Sequence, residues 1–555
     1  MKHFLLYHAP ALVALALILL YLPVLLWGTW QFDDGHSIVD NPFFRDWHNI
    51  PRFFTGTDCF SMDPAMGMYR PVLLLSYWAT HALFGMEVWG WHLVNLLIHL
   101  GSAFVVWRLF GGWPALFFAF SPIAVEPVAY VSARSDGLMV LFSLLAGWAL
   151  WRSWRAAIEL GGRNRAIWLR WASVGFMALA MLTKETAVVL PVFMVIWYLD
   201  FYGWKNWELA LWNAWRHLAA AGLYLLTLFA TGFLGRSLAH PARGAWDQLY
   251  TQIHAACYYA FNLFCPVHLS IYPVGIAHLG TMDFIVMGLG GLVIGGLVFL
   301  ALGAGNCLPR LTIKKDPVVL FAILWMVLAL LPVMVMPLNM EINCRRMYYP
   351  LIGSCVLWAH LLKDDKGWFR HAWLGMLVMF AVTGTLNWSD PVSLWIDASR
   401  KNPESAAVKI NLGDAFRQKA QAGEPEYWHA AEQAYTEALH LGGQAALAYN
   451  NLGSICLAQG QLVEAERLYL DALAFEPDNA DALANVGTVY HERARRGVEV
   501  AESRRQALEW YARALDRNAF HRVANRNAGL LLQDLGMQEE AQFYLEQANR
   551  VRSLP

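Results

Sequence analysis

Long apolar segments joined by short polar connections are the feature that most constrains this 555-residue chain. The sequence predicts eleven such segments, each about the length that crosses roughly 30 Å of hydrocarbon as a helix. Because a bilayer core offers no water to exposed backbone groups, they are expected to form a bundle of membrane helices. The predicted segments are 9–27, 92–110, 113–130, 137–151, 166–183, 186–201, 217–234, 283–303, 318–337, 347–362 and 371–388.

Charge divides the chain into two unlike parts. Residues 401–555 contain 16 Lys and Arg and 21 Asp and Glu, whereas the first 400 residues hold only 46 of the chain's 83 charges. Soluble domains average about 25% charged residues. We therefore predict a membrane domain over 1–389, a linker over 390–401 and a soluble domain over 402–555. The net charge of −1 argues against a nucleic-acid partner.

Basic residues in the connections orient the predicted helices, because Lys and Arg favour the cytoplasmic side. Basic residues follow the fourth, eighth and tenth segments, so these three connections are predicted to be cytoplasmic. With eleven segments, this places the N-terminus in the cytoplasm and the soluble domain on the opposite side of the membrane. The long loops 28–91 and 235–282 then also lie outside. Their apolar stretches 69–85 and 253–273 are predicted as interfacial or re-entrant helices, and the first segment as an uncleaved helix.

The soluble domain contains a helical repeat. The 34-residue unit Ala446–Asn479 has the small and aromatic residues of a tetratricopeptide repeat (TPR) at Tyr449, Leu452, Gly453, Ala465, Tyr469, Ala472 and Pro477. Neighbouring units echo this pattern, so about four repeats are predicted. Stacked helix pairs form a concave surface suited to protein contact. The alternative is an array that only spaces or stabilises the membrane domain.

Two adjacent carboxylates, Asp33 and Asp34, follow the first apolar segment in the sequence WQFDDG. The predicted topology puts them at the membrane surface on the non-cytoplasmic side. Neighbouring acids shift each other's pKa, so one can act as a general base while the other holds a substrate group. The same pair also suits helix capping or an acidic loop, and the sequence leaves both interpretations open.

Further polar residues gather at the same predicted face. His92, Asn95 and His99 share one helix face, where interhelical hydrogen bonding is an equal alternative to a functional role. Ionisable residues at membrane depth are costly and therefore candidates for function. The remaining polar candidates are Asn41, Arg70, Glu126, Arg134, Asp136, Lys184, Glu185, Asn339, Glu341, Arg345, Arg346 and Tyr348.

The order FDDG, NPFF, YRPVLLLSYW, HLVNLLIH, SPIAVEPVAYVSARSD, LTKE and RRMYYPLIG, followed by the repeats, resembles the transmembrane and TPR protein O-mannosyltransferases of the GT-C superfamily. The chain departs from that pattern in its short repeat array and in Arg345-Arg346, where a Glu-Arg type motif is expected. The resemblance implies an all-α fold, a polytopic GT-C-type membrane helix bundle followed by the TPR solenoid. It also implies a polyprenyl-phosphate sugar donor, and Asp33 or Asp34 as the catalytic carboxylate.

The implied leaving group is a lipid phosphate, which guanidinium and ammonium groups bind well. Our candidates for binding the donor phosphate are Arg70, Arg134, Lys184, Arg345 and Arg346. Our candidates for supporting polar roles are Asn41, His92, Asn95, His99, Glu126, Asp136, Glu185 and Tyr348.

The expected function is inverting transfer of a hexose such as mannose to a hydroxyl of a secreted or envelope protein, held partly by the repeats. The expected location is a bacterial inner membrane with a periplasmic site, or alternatively an endoplasmic reticulum membrane with a luminal one. No cofactor is firmly predicted, and a divalent metal stays open because an Asp pair can bind one. Two other classes also stay open: a GT-C transferase for a lipid or envelope glycan, and a non-enzymatic scaffold displaying the repeats.

Overall fold

The computed structural model describes residues 2–61, 67–159, 162–233, 245–272, 285, 288–296, 317–335, 342–363 and 367–553. These residues form α-helices, short 3₁₀ and π turns and loops, and none of them lies in a strand. The chain divides into two compact units, Met1–Asp390 and Pro391–Pro555. The predicted fold class, an all-α membrane helix bundle followed by a TPR solenoid, is confirmed.

Among the described residues, six helices of the first unit are long and apolar enough to cross a bilayer, and a seventh crossing results if one bent helix pair is counted as a span. Such helices make the chain an integral membrane protein. The α-helices of this unit are Lys2–Trp27, Ile50–Phe53, Pro71–Phe84, Val88–Phe110, Gly112–Ala119, Val125–Ala129, Arg134–Ile158, Arg163–Thr183, Leu190–Tyr202, Trp207–Ala230, Ala245–Phe264, Pro317–Val335, Leu351–Leu361 and Trp368–Trp388.

Among the predicted segments that the structure describes, three do not form straight helices of spanning length. Segment 113–130 bends by 54° between Gly112–Ala119 and the helical turns from Pro122 to Ala129, since Pro122 cannot continue the hydrogen-bond ladder. Segment 186–201 yields Leu190–Tyr202, whose 13 residues span about 20 Å at 1.5 Å per residue. Segment 347–362 yields only the 11-residue helix Leu351–Leu361.

Several sequence-based expectations concern residues outside the described ranges. They include most of segment 283–303, the ends of the loop 235–282, and the polar residues Asn339 and Glu341. They also include four of the basic residues that follow the eighth and tenth segments and orient the predicted helices: Arg310, Lys314, Lys315 and Lys366. The sidedness of the bundle therefore stays a prediction.

The chain after the first helix folds back onto the bundle through a buried aromatic cluster. Phe44 lies edge-on against Tyr77 at 5.7 Å and against Trp91 at 5.8 Å between ring centroids. Tyr77 belongs to Pro71–Phe84, the 14-residue helix predicted to be interfacial or re-entrant. Aromatic pairs in this geometry add roughly 0.5–1.5 kcal/mol beyond area burial. The cluster thus fixes the segment that carries Asp33 and Asp34.

The second unit contains four antiparallel helix pairs, in agreement with the predicted repeats. The pairs are Ala406–Gln421 with Tyr427–His440, Ala445–Ala458 with Leu462–Phe475, Ala480–Arg495 with Val500–Arg517, and Arg522–Asp534 with Gln538–Ser553. The sequence predicts a linker over 390–401, but the structure has a helix there. This helix, Pro391–Lys401, buries Leu394 and Trp395 and packs against the first repeat. Its apolar residues share one helix face and cap the array.

A glycine in the first helix of each repeat allows the second helix to approach closely. A Cβ atom on Gly453 would lie 2.8 Å from the Tyr469 ring, and equivalent contacts of 2.5 Å and 2.8 Å occur between Gly413 and Tyr435 and between Gly487 and Tyr511. These distances are too short for carbon atoms in contact. Each of these tyrosine rings therefore occupies the space that a side chain at the glycine would take.

We predict that Gly453→Ala destabilises the repeat unit by about 1–3 kcal/mol, because the new methyl group overpacks against the Tyr469 ring. Thermal unfolding of the purified protein measures this effect. Leu447→Ala, on the exposed face of the same helix, is the control and should change stability little. An equal loss in both variants would contradict the proposed packing.

Candidate active site

The chain turns sharply between the first helix and the two acids. Phe32 has a φ of 44°, in the left-handed region that non-glycine residues rarely adopt. A π-helical turn, Gly35–Val39, follows directly, and both strained residues and π turns are frequent at functional sites. The turn gives Asp33 and Asp34 opposite environments although they are adjacent in sequence.

Asp34 is buried and bound by the protein. Its side chain is 0% exposed and accepts hydrogen bonds from the backbone N–H of Gln31 at 2.9 Å and of Ser132 at 2.8 Å, as well as from the Ser132 hydroxyl. Burial raises the pKa of Asp34 to about 6 against the opposing effect of these hydrogen bonds. Asp34 therefore ties the turn to the connection that precedes Arg134–Ile158.

Asp33 is the accessible acid of the pair, with a side chain that is 36% exposed. Its carboxylate lies 3.7 Å from the Arg345 guanidinium and 3.7 Å from His36 Nε2, and its backbone N–H donates to the Tyr130 hydroxyl at 2.8 Å. Burial opposes ionisation, but His36, Arg345 and Tyr130 together outweigh it and lower the pKa of Asp33. Asp33 is consequently an ionised carboxylate with access to solvent.

Arg345 joins Asp33 to a second acid. Its Nε lies 4.0 Å from Asp136 Oδ2, and its guanidinium stands 5.3 Å from the centroid of the Tyr130 ring. Tyr130 in turn stacks on Trp388. The Arg345 side chain is 20% exposed, and nearby Tyr130, Asp136, Glu126 and Asp33 raise its pKa although burial acts against them. Arg345 is thus a fixed cation that remains open on one side.

Two further ion pairs adjoin this cation. Lys184 Nζ contacts Asp136 Oδ1 at 2.5 Å, and Arg70 binds Glu185 through two bonds of 3.0 Å and 2.7 Å. The adjacent Arg70 outweighs burial and lowers the pKa of Glu185 to about 2. The negative charge of Asp136 raises the pKa of both Arg70 and Arg345, so these ion pairs form one connected group. We call this group the ionic network. Its members are Asp33, Arg70, Asp136, Lys184, Glu185 and Arg345.

Arg134 does not fit the expected role in phosphate binding. The residue is 0% exposed, and its guanidinium donates to Asn95 Oδ1 at 2.7 Å, to Thr80 Oγ1 at 2.7 Å and to the Trp91 carbonyl at 3.1 Å. Its guanidinium donors are thus engaged by acceptors of the protein itself. Arg134 instead joins three helices within the bundle.

The predicted polar helix face also serves interhelical bonding. Asn95 donates to the carbonyls of Val128 and Tyr130, and His99 bonds the Tyr348 hydroxyl at 2.7 Å and lies 3.0 Å from the Ala119 carbonyl. These contacts match the interpretation of the face as a packing feature.

Asn41 and His92 are also buried rather than open to a substrate. Asn41 donates to the carbonyls of Ser37, Cys59 and Phe60, so it holds the loop that follows the first helix.

Glu126 and Arg346 lie close to the ionic network. Glu126 is buried and adds to the negative charge that raises the pKa of Arg345. Arg346 Nη1 lies 3.5 Å from the Tyr259 hydroxyl. Both therefore stay candidates for supporting the charge balance of the site.

No group of three or more His, Cys, Asp or Glu side chains with the arrangement of a metal site occurs in the described part of the chain. The oxygen atoms of Asp33 and Asp34 do not form such a set, because Asp34 is used by Gln31 and Ser132.

Sequence reasoning missed three residues that shape the site: His36, Tyr130 and Ser132. Tyr130 and Ser132 lie within the motif SPIAVEPVAYVSARSD but carry no charge that singles them out. Their contacts with Asp33 and Asp34 cross 97 and 98 positions of sequence, so no local spacing indicates them. His36 could have been noticed as a polar residue one helical turn after Asp33.

The arrangement combines an exposed, ionised carboxylate with fixed cations at one surface. A carboxylate in this state can accept a proton from a hydroxyl group. A cation 3.7 Å away can stabilise negative charge on a departing phosphate. The site therefore has the two components that group transfer from a phosphate ester to a hydroxyl needs.

Comparison with known proteins shows similarity to protein O-mannosyl-transferases, and no family model matches the chain. Protein O-mannosyl-transferase F38B6.6 of Caenorhabditis elegans is 24% identical over 438 residues, covering 73% of this chain and 60% of the relative. Drosophila melanogaster Tmtc3 is 24% identical, with 83% and 58% covered. The chain thus spans about three fifths of the length of these curated relatives. The resemblance seen in the sequence motifs is confirmed.

A solved structure titled "Crystal structure of MamA protein" aligns with a TM-score of 0.23 and 20% identity. The alignment covers 29% of this chain and 81% of that chain.

We predict that Arg134→Lys lowers the thermal stability of the detergent-purified protein by at least about 2 kcal/mol. Lysine has no planar fork, so it cannot reach Asn95, Thr80 and the Trp91 carbonyl together, and buried acceptors lose their partner. Arg165→Lys, in an exposed ion pair, is the control and should be neutral. A stable Arg134→Lys protein would contradict the structural role.

Proposed function

We propose that this chain is a membrane glycosyltransferase that moves a hexose, with mannose as the first candidate, from a polyprenyl-phosphate carrier to a hydroxyl group of a protein. The observation that carries the proposal is Asp33, exposed and ionised beside Arg345. Similarity to curated protein O-mannosyl-transferases supports the sugar and the protein acceptor.

Asp33 acts as the general base. The acceptor oxygen attacks the anomeric carbon while its proton passes to a carboxylate oxygen of Asp33. The bond between the anomeric carbon and the phosphate oxygen breaks, and the phosphate leaves with the electron pair. Attack opposite the leaving group inverts the anomeric centre, so a single carboxylate suffices, unlike the pair used by glycosidases.

Arg345 is the first cation to meet the phosphate, because it combines 20% exposure with a position beside the base. Arg70 and Lys184 are engaged by Glu185 and Asp136, so they support the phosphate through the ionic network. Arg346 stays a candidate for a direct contact, whereas the fully buried Arg134 is not part of the proposed phosphate site.

Donor binding also activates the base. In the free protein Arg345 is one of the groups that lower the pKa of Asp33. A bound phosphate neutralises Arg345 and brings negative charge close to Asp33, and both effects raise a carboxylate's pKa. Asp33 therefore becomes a stronger proton acceptor once the donor is in place.

The active site is proposed to face away from the cytoplasm, in the periplasm of a bacterium or, alternatively, in the lumen of the endoplasmic reticulum. Positive-inside counting of the sequence supports this sidedness. A protein acceptor there would emerge from secretion with its hydroxyl groups accessible.

We predict that Asp33→Asn lowers transfer about 10²- to 10⁴-fold, the usual range for a lost general base. Purified full-length protein, defined polyprenyl-phosphate hexoses and a Ser-containing peptide provide the assay. Asp58→Asn, an exposed acid of the same loop paired with Arg52, is the control and should retain activity. Asp33→Asn protein with normal turnover would refute the base, and normal biological function in that variant would favour a scaffold.

We predict that the acid limb of kcat lies at higher pH than the acid limb of kcat/KM. The kcat/KM profile reports the free protein, in which the pKa of Asp33 is below its usual value, whereas kcat reports the donor complex with a raised pKa. Activity is lost as pH falls through each pKa because the base becomes protonated. His36 is one of the groups that lower the pKa of Asp33, so His36→Gln tests whether the two acid limbs report the titration of Asp33. Acid limbs of kcat and kcat/KM at the same pH would contradict the proposal that donor binding raises the pKa of Asp33.

A further inference from the structure

An arginine of the bundle lies between two tryptophan rings that belong to different helices. The Arg216 guanidinium is 5.4 Å from the centroid of the Trp171 ring and 4.8 Å from that of Trp215. Trp171 belongs to Arg163–Thr183, whereas Trp215 and Arg216 belong to Trp207–Ala230. A cation within about 6 Å of an aromatic face is attracted by it. The two rings therefore hold the guanidinium where these helices meet.

A buried hydrogen bond fixes the two helices at the same level. Ser173 Oγ lies 3.0 Å from His217 Nε2, and the two residues are 0% and 1% exposed. Arg216 directly precedes His217, and Arg170 lies one helical turn before Ser173 on the same face. A second arginine thus flanks this contact. We call Arg170, Trp171, Trp215 and Arg216 the arginine–tryptophan site.

The two arginines of this site have no counter-charge from the protein. Both are half-buried, and Nε of each is enclosed without a hydrogen-bond partner among the described residues. Neither guanidinium forms an ion pair with any acid that the structure describes. Glu159, the acid nearest to Arg170 in sequence, pairs instead with the exposed Arg165. Because an unpaired cation near a bilayer is costly, the site favours an anionic ligand.

The exposed side chains of Trp207–Ala230 place this site at the membrane surface. Trp212 and Trp215 are exposed near the start of the helix, whereas Leu226 and Phe229 are exposed near its end. Indole rings favour the level of the lipid headgroups, and Leu and Phe favour the hydrocarbon. The arginine–tryptophan site therefore lies at headgroup level, where lipid phosphates are found.

This site is remote from the proposed donor site. Lys184 of the ionic network directly follows Arg163–Thr183. Arg170 is 14 positions earlier, roughly 20 Å along a helix at 1.5 Å per residue. Positive-inside counting predicts that this end of the helix is cytoplasmic. The cytoplasmic leaflet carries anionic lipids, which bind basic pockets between membrane helices.

We propose that the arginine–tryptophan site binds the phosphate of an anionic phospholipid. The guanidinium groups of Arg170 and Arg216 bind the phosphate oxygens, which they match in charge and geometry. The exposed indole rings contact the glycerol and the upper part of the acyl chains. A soluble phosphate lacks these apolar parts, so the surface selects a lipid. A lipid held by both helices fixes their depth in the bilayer.

The test compares two lipids on the same protein. Purified full-length protein in detergent is mixed with equal amounts of phosphatidylglycerol and phosphatidylcholine, and native mass spectrometry measures how much of each stays bound. A basic residue near an anionic lipid surface contributes about 5-fold in affinity. Arg170→Gln with Arg216→Gln should therefore weaken phosphatidylglycerol binding about 5- to 25-fold and leave phosphatidylcholine binding unchanged.

A matched control removes two other arginines from the same helix end. Arg163→Gln with Arg165→Gln changes exposed residues and should keep the preference for phosphatidylglycerol. An equal loss in both double variants would indicate diffuse attraction and overturn the inference. Equal binding of the two lipids by the unaltered protein would also overturn it.

Another variant separates this site from the donor site. Arg345→Gln removes the cation beside Asp33 and should bind phosphatidylglycerol as well as the unaltered protein does. Loss of binding in Arg345→Gln, with full binding in Arg170→Gln and Arg216→Gln, would place the lipid at the donor site and overturn the inference.

Changes on the lipid avoid any effect of the protein variants on folding. Methylation of the phosphate to a neutral triester removes the charge of phosphatidylglycerol but keeps its acyl chains, and should weaken binding to the unaltered protein about 5- to 25-fold. Inorganic phosphate at an equal concentration should not displace the lipid. Equal binding of the triester and phosphatidylglycerol, or displacement by inorganic phosphate, would overturn the inference.

Discussion

The buried carboxylate of Asp34 is the contact on which the arrangement of the candidate site depends. Its bonds to Gln31 and Ser132 close the turn after the first helix and join it to a segment almost a hundred residues away. Tyr130, two residues before Ser132, then contacts Asp33 on one side and Arg345 on the other. One hydrogen-bonded acid thereby places its neighbour beside a cation.

Burial gives the two acids different chemical properties. Desolvation raises the pKa of Asp34 to about 6, whereas the more exposed Asp33 has a lowered pKa because His36, Arg345 and Tyr130 favour its charged form. The same principle separates the cations. Arg134 is enclosed by protein acceptors and builds the bundle, whereas Arg345 keeps an open side. Accessibility, rather than residue type, separates structural charges from those available to a substrate.

Much of the second unit could be read from the sequence because its contacts are local. Gly453 and Tyr469 are 16 positions apart, and the repeat places them in contact by packing one helix against the next. The sequence predicts a linker over 390–401, whereas Pro391–Lys401 forms a helix whose apolar face is buried on the first repeat. Helix bends in the bundle were missed because hydropathy measures length and polarity, not direction.

Hydropathy, charge density and repeat period are properties of the chain, so they predict the fold class, the two-part organisation and the set of charged candidates. The packed structure adds that Asp33 is open and Asp34 is enclosed, and that Arg345 rather than Arg134 stands beside the open acid. Exposure and distance between residues remote in sequence depend on how helices pack. That packing comes from many side-chain contacts acting together, which no local pattern records.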